Sequence, residues 1–140
     1  GLKTVHIKVR DDVGNETAAV TASITVNTAV PVVTITGPGK TRISKVSGFD
    51  TCAFSFTCDV DFEEYTVRVV PSTSSLRDAG TQIPNTGGSI NTSGSKGGYK
   101  KATAIDVPIK GADLATASSG DGTKIIKVFV KNAAGTWSVA

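Results

Sequence analysis

The sequence predicts an all-β fold: an antiparallel β-sandwich over residues 30–140, preceded by a β-hairpin in residues 1–29. Three observations carry this. Residues 51–58 alternate strictly, with Cys52, Phe54, Phe56 and Cys58 on one face and Thr51, Ala53, Ser55 and Thr57 on the other, the pattern of a half-buried strand. About seven such short apolar runs recur between turn signals, and no stretch shows helical periodicity, a spacing that favours two packed sheets. Finally, residues 1–17 align without a gap on residues 122–138, an offset of 121. Gly1, Lys3, Val9 and Gly14 meet identical residues at Gly122, Lys124, Val130 and Gly135, and Arg10, Asp11 and Thr17 meet Lys131, Asn132 and Ser138. Self-similarity at a domain-sized period points to tandem modules.

The elements follow in order. Val5, Ile7 and Val9 alternate with Thr4, His6, Lys8 and Arg10. Residues 11–15 make a turn, and residues 17–26 form the second strand, with apolar Ala19, Ile24 and Val26. Pro31 disfavours helix at the junction that follows. Residues 32–36 start the sandwich and stop at Gly37-Pro38-Gly39; the cysteine strand spans roughly residues 50–60. Tyr65, Val67 and Val69 share a face of the next strand, which ends at Pro71. Residues 72–101, rich in Ser, Thr, Gly and Asn, read as weak edge strands and a mobile loop with Ile83 and Ile90 as their main apolar points. Ile105, Val107 and Ile109 mark another strand, and residues 111–115 one helical turn with Asp113 near its start. Asp121-Gly122 turns the chain into the second hairpin copy, where Ile126, Val128 and Val130 face in and Phe129 faces out beside Ile125, an apolar pair expected to be covered by the long loop or a neighbouring subunit, or else to belong to an interface.

If the duplication is a full unit, the first hairpin closes a preceding sandwich and the second begins to close this one. The second copy reaches only Ala140, short of any counterpart to residues 21–26, so one sheet edge is expected to lack a partner. Alternatively the first hairpin adds its strands to the same sandwich, within the chain or by exchange between neighbours. The chain contains no Met, as expected of a processed chain or a piece of something longer.

Composition narrows the chemistry. A net charge of +3 with scattered lysines gives no basic stripe of the kind nucleic acid requires; Lys96, Tyr99, Lys100 and Lys101 in a Gly-rich loop are the nearest approach. No run approaches the ~18 apolar residues of a membrane span. Cys52 and Cys58 lie six residues apart on one strand, on the order of 20 Å, far beyond the about 4.4–6.8 Å a disulfide spans. They read as buried thiols. His6 is the sole imidazole and sits on a polar strand face, so no catalytic site is expected. Asp59, Asp61, Glu63 and Glu64 could offer hard oxygen ligands to calcium, though without an EF-hand loop; otherwise no metal or cofactor is expected. Asn15-Glu16-Thr17 and Asn91-Thr92-Ser93 match the glycosylation sequon in predicted turns. Trp137, Tyr99, Lys100, Lys101 and Phe129 are the candidate interaction residues.

A Lys-Xaa-Val/Ile-Xaa-Val/Ile-Xaa-Val-Lys/Arg-Asp/Asn strand, a Gly-bearing turn and then Ser/Thr resembles the closing hairpin of bacterial-type immunoglobulin-like repeats. Asp121-Gly122 and Ala112-Asp113-Leu114 fit the same pattern, whereas Gly135-Thr136 departs from it, since Asn is usual after that glycine. Antibody domains differ: their inter-sheet disulfide has no counterpart when Cys52 and Cys58 share a strand. The resemblance covers both hairpins well and residues 31–121 by pattern alone. It implies an immunoglobulin-like sandwich and a non-catalytic structural or interaction module of a phage tail, fibre or capsid-decoration protein, or of a bacterial surface protein. Its partners would be neighbouring copies in a virion or on a cell surface. The alternatives are a glycan- or receptor-binding adhesin using residues 86–101 and Trp137, and an accessory domain of a secreted glycoside hydrolase.

Overall fold

A computed structural model describes residues 1–71 and 74–139; Ser72 and Thr73, part of the expected loop, and Ala140 lie outside the described residues. The strands run β1 (Leu2–Ile7), β2 (Val20–Thr25), β3 (Val33–Thr36), β4 (Thr51–Cys58), β5 (Glu64–Val70), β6 (Thr81–Gln82), β7 (Ser93–Gly94), β8 (Ile105–Lys110) and β9 (Ile125–Lys131). A seven-residue helix, α1 (Gly111–Ala117), joins β8 to β9.

Antiparallel pairing builds one sheet in the order β3-β4-β8 and a second in which β5 pairs with β6 and β7 along one edge and β9 along the other. The cysteine strand behaves as its alternation demands. Cys52, Phe54, Phe56 and Cys58 are buried; the first three align with Ile109, Val107 and Ile105 of β8, and Cys58 with Val33 of β3. From the facing sheet come Tyr65, Val67 and Val69 of β5 and Val128 and Val130 of β9; Phe62 and Ile83 enter from connections. The result is an all-β antiparallel sandwich, as predicted. Pro108 sits in β8, an edge strand, where its missing N–H leaves no ladder donor unmade.

The Ser/Thr/Gly-rich region does form weak edge strands, two residues each. Ile83 is fully buried, but Ile90 is more than half exposed and anchors nothing. The expected helical turn extends to seven residues, starting with Gly111 against the backbone of Ser44: a Cβ built there falls 1.9 Å from the Ser44 carbonyl oxygen. Gly111→Ala must therefore displace either the helix or residues 44–45. Overpacking of this kind costs about 2–3 kcal/mol, readable as a lowered urea midpoint with unchanged m-value.

Among the described residues β1 and β2 pair only with each other, in the register Leu2↔Thr25 to Ile7↔Val20. A short connection links them to the sandwich, where Pro31 is buried, Val32 exchanges hydrogen bonds with Asp59, and the Asn132 amide donates to the Ala29 carbonyl at 3.0 Å.

Candidate interaction surfaces

The two hairpin turns share their hydrogen bonds one for one. Gly14 N–H donates to the Asp11 carbonyl at 3.2 Å, and Gly135 N–H to that of Asn132 at 3.0 Å. The Asp11 side chain accepts the N–H groups of Val13 and Asn15 at 3.1 and 2.8 Å; that of Asn132 accepts those of Ala134 and Thr136, both at 3.0 Å. Such Asx-type capping of a local turn is the reason Asp and Asn interchange at this position. Thr17 and Ser138 each donate their N–H to a valine carbonyl, Val9 or Val130, and accept that valine's N–H on the hydroxyl. Both glycines have positive φ, +95° and +82°, where any other residue is strained. The isolated bridges Arg10↔Glu16 and Lys131↔Trp137 correspond as well.

The surroundings of the two copies differ. Val128 and Val130 are 2% and 0% exposed in the core, whereas their counterparts Ile7 and Val9 are 59% and 63% exposed. With Val5, Val20, Ile24 and Val26, also exposed, they leave one face of the β1–β2 ribbon apolar and uncovered. Contiguous apolar surface of this kind is uncommon on a free monomer. Conversely, among the described residues β9 forms its ladder with β5, and no strand lies beside its other edge as β2 lies beside β1. Truncating equivalent side chains separates the two environments. Val130→Ala is expected to cost about 2 kcal/mol and Val9→Ala under about 0.5 kcal/mol, measured by chemical denaturation.

The residues singled out in the sequence are placed as follows. Phe129 points outward, as read, but is covered: it is fully buried on the outer face of the β5–β9 sheet. Residues 74–80 lie across that face, held by Lys127 Nζ on the Ser74 carbonyl and by Arg68 on the Gly80 carbonyl. Tyr99 stacks on Phe62 at 5.0 Å and meets Tyr65 edge-on at 5.2 Å, a structural position. Trp137 is half-buried with the Arg77 guanidinium 4.4 Å above its ring, so a cation already occupies one face. Lys100 pairs with Asp61 at 3.0 Å and the Lys101 N–H donates to the same carboxylate at 2.8 Å. The Lys101 N–H and then the Lys100 ammonium hold the Asp61 carboxyl below the usual range. His6 is exposed on β1.

The four acidic residues do not converge on a cation. Asp59 accepts the Val32 N–H, Asp61 takes Lys100 and Lys101, Glu63 accepts the Gly98 N–H and Glu64 pairs with Lys131. Among the described residues no group of three His, Cys, Asp or Glu is placed to hold a metal. The calcium candidate thus dissolves into separate loop anchors, because residues 59–63 form the connection from β4 to β5 and each carboxylate is taken by a different backbone group or lysine. Cys52 and Cys58 are free and buried, and burial pushes the Cys58 thiol up, away from the thiolate a nucleophile needs. Asn15 is engaged with Asp11, and Asn91 with the Asp106 carbonyl.

Sequence reasoning missed two features. One end of the sandwich is open, a hollow of ≈ 1130 Å³ with Phe54, Leu114 and Ile126 in its lining and Lys40, Arg42 and Lys124 also bordering it. Asp113 is buried and clamps residues 86–89; its place beside the expected helical turn was the available signal. Among the described residues, no helix is long and apolar enough to cross a membrane. No protein-family model, curated protein or solved structure matches the chain.

Proposed function

We propose that this chain is an immunoglobulin-like structural module of a repetitive virion or cell-surface assembly, with a phage tail, fibre or capsid-decoration protein ahead of a bacterial surface protein. Residues 1–29 close one unit and residues 30–140 form the next. The observation that supports this is the pair of hairpins with matching turns and opposite burial: the same ribbon is buried where a facing sheet is present and bare where none is. Such a module works by geometry. It sets spacing, presents loops at its ends, and gains avidity from repetition.

The test extends the duplication. Residues 20–29, appended directly after Ala140, place a second copy of β2 in line with β9. The extension is expected to raise Tm by about 6 °C, corresponding to ~2 kcal/mol in a chain of this size. A scrambled extension of the same composition should leave Tm unchanged. No rise with the native order would overturn the modular reading. The glycan-binding alternative ranks second because Arg77 covers Trp137; Trp137→Ala on a glycan array decides it.

A further inference from the structure

The two matching turns differ in the use of one atom. In each, a side-chain oxygen accepts two backbone N–H groups, those of Val13 and Asn15 at Asp11 and those of Ala134 and Thr136 at Asn132. One polar atom is left over. Asp11 Oδ2 accepts the Asn15 side-chain amide at 2.9 Å, inside its own turn. Asn132 carries nitrogen in that place, and Nδ2 leaves the turn to donate to the Ala29 carbonyl at 3.0 Å, 103 residues away in sequence. The two accepted N–H groups fix which end of the side chain is oxygen, so the nitrogen must face Ala29. Asn132 is 3% exposed, and an amide shut off from water is costly to leave unpaired.

Ala29 lies in the connection between ribbon and sandwich, which is pinned on both sides of it. On the ribbon side Val26 exchanges backbone hydrogen bonds with Gly1, and the Asn27 side chain accepts the Ala29 N–H at 3.0 Å. On the sandwich side Val32 donates to the Asp59 carboxylate at 2.8 Å and accepts the Asp59 N–H at 3.1 Å, and Pro31 is buried. The pyrrolidine ring sets φ at Pro31 and biases Val30 to extended backbone. Among the described residues, the bond from Asn132 to Ala29 is the one hydrogen bond joining residues 1–29 to residues 33–139. With it made, only Asn27 and Thr28 separate Val26 from a fixed point on the sandwich.

We infer that the Asn132 side-chain amide is a clasp that fixes the direction of the β1–β2 ribbon against the sandwich. On the modular reading above, on which this further step rests, the clasp sets the angle between successive units, because the ribbon closes the preceding one. A carboxylate closes the turn equally well, as Asp11 shows, but has no proton to donate. The choice of Asn or Asp at this one position therefore decides between a stiff joint and a hinged one.

Distance distributions between spin labels at His6→Cys on the ribbon and Ala53→Cys on the outer face of β4 test it. Both positions are exposed, whereas the native Cys52 and Cys58 are buried. With Asn132 in place the distribution should be a single narrow peak. Asn132→Asp/Thr136→Asn rebuilds the Asp11–Asn15 pair in the second turn, keeping that turn closed while removing the donor to Ala29. One hydrogen bond is worth a factor of about five to ten in the clasped population, so roughly half of the parent peak should pass into a broad spread. Asn132→Asp alone should broaden it at least as much, since its carboxylate would face the Ala29 carbonyl without a donor. Urea unfolding separates this from a merely structural role, which would lower the midpoint and leave the peak narrow. A broad parent distribution, which needs no substitution at Asn132 to measure, or a folded double variant as narrow as the parent would overturn the inference. If the peak broadens but residues 20–29 appended after Ala140 leave Tm unchanged, the clasp stands and the modular reading fails. If Tm rises and the double variant stays narrow, the clasp alone fails.

Discussion

Phe56→Ala is expected to destabilise the sandwich by about 4 kcal/mol, the upper range for a buried aromatic truncated to alanine. Phe56 is 1% exposed, lies between Ile35 and Ile105 in register, and has the Tyr65 ring 5.2 Å and the Phe62 ring 6.3 Å away. Removing it loses the transfer energy of a benzyl group and leaves a cavity that two hydrogen-bonded sheets cannot close. Phe49→Ala, at a position 71% exposed, should change stability by less than about 0.5 kcal/mol. Urea unfolding followed by Trp137 fluorescence reads both. A cost below about 1 kcal/mol for Phe56→Ala would mean that the two sheets do not face each other over this ring. Because Phe56, Phe62 and Tyr65 touch as a group, Phe62→Ala in the same chain should add less than its separate cost.

The parts of this fold legible in the sequence are those where a two-residue period meets a single buried face. Residues 51–58 show it best, since every second side chain is buried and no outer layer confuses the pattern. Phe129 shows where the pattern stops. Its phase is outward, as read, but residues 74–80 cross the outer face of β5 and β9 and seal it, making both faces of β9 partly dry. Alternation tells which side a residue points to and is silent on what lies there. Val5, Ile7 and Val9 teach the same lesson in reverse: their alternation matches that of Ile126, Val128 and Val130, yet no facing sheet covers them. The acidic run at residues 59–64 is dispersed for another reason. Closeness in sequence became divergence in space, each carboxylate taking a different strand or loop as its partner.

Asp113→Ala is expected to cost about 3 kcal/mol at neutral pH, through a contact that no periodicity announces. The carboxylate is 1% exposed and accepts the N–H groups of Gly87 at 2.6 Å and Ser89 at 2.8 Å, with the Thr86 hydroxyl at 3.5 Å. Ser89 in turn accepts the Lys110 N–H on its hydroxyl, so one side chain ties residues 86–89 to the end of β8 and the start of α1. Alanine would leave two backbone donors without partners, the expensive half of a hydrogen-bond deletion. Asn should recover part of the loss, since its oxygen can accept one donor while its amide confronts the other. Burial pushes the Asp113 carboxyl up, but the hydrogen bonds from Ser89, Gly87 and Thr86 outweigh it and hold the group below its usual value. With the folded value depressed, the stabilisation is complete above the unfolded carboxyl value near pH 4 and is lost as pH falls through the folded one. The stability gap between parent and Asp113→Ala should therefore be constant from about pH 7 to pH 5 and shrink on further acidification. A gap that widened in acid would mean the carboxyl is held protonated, donating to the loop rather than accepting from it.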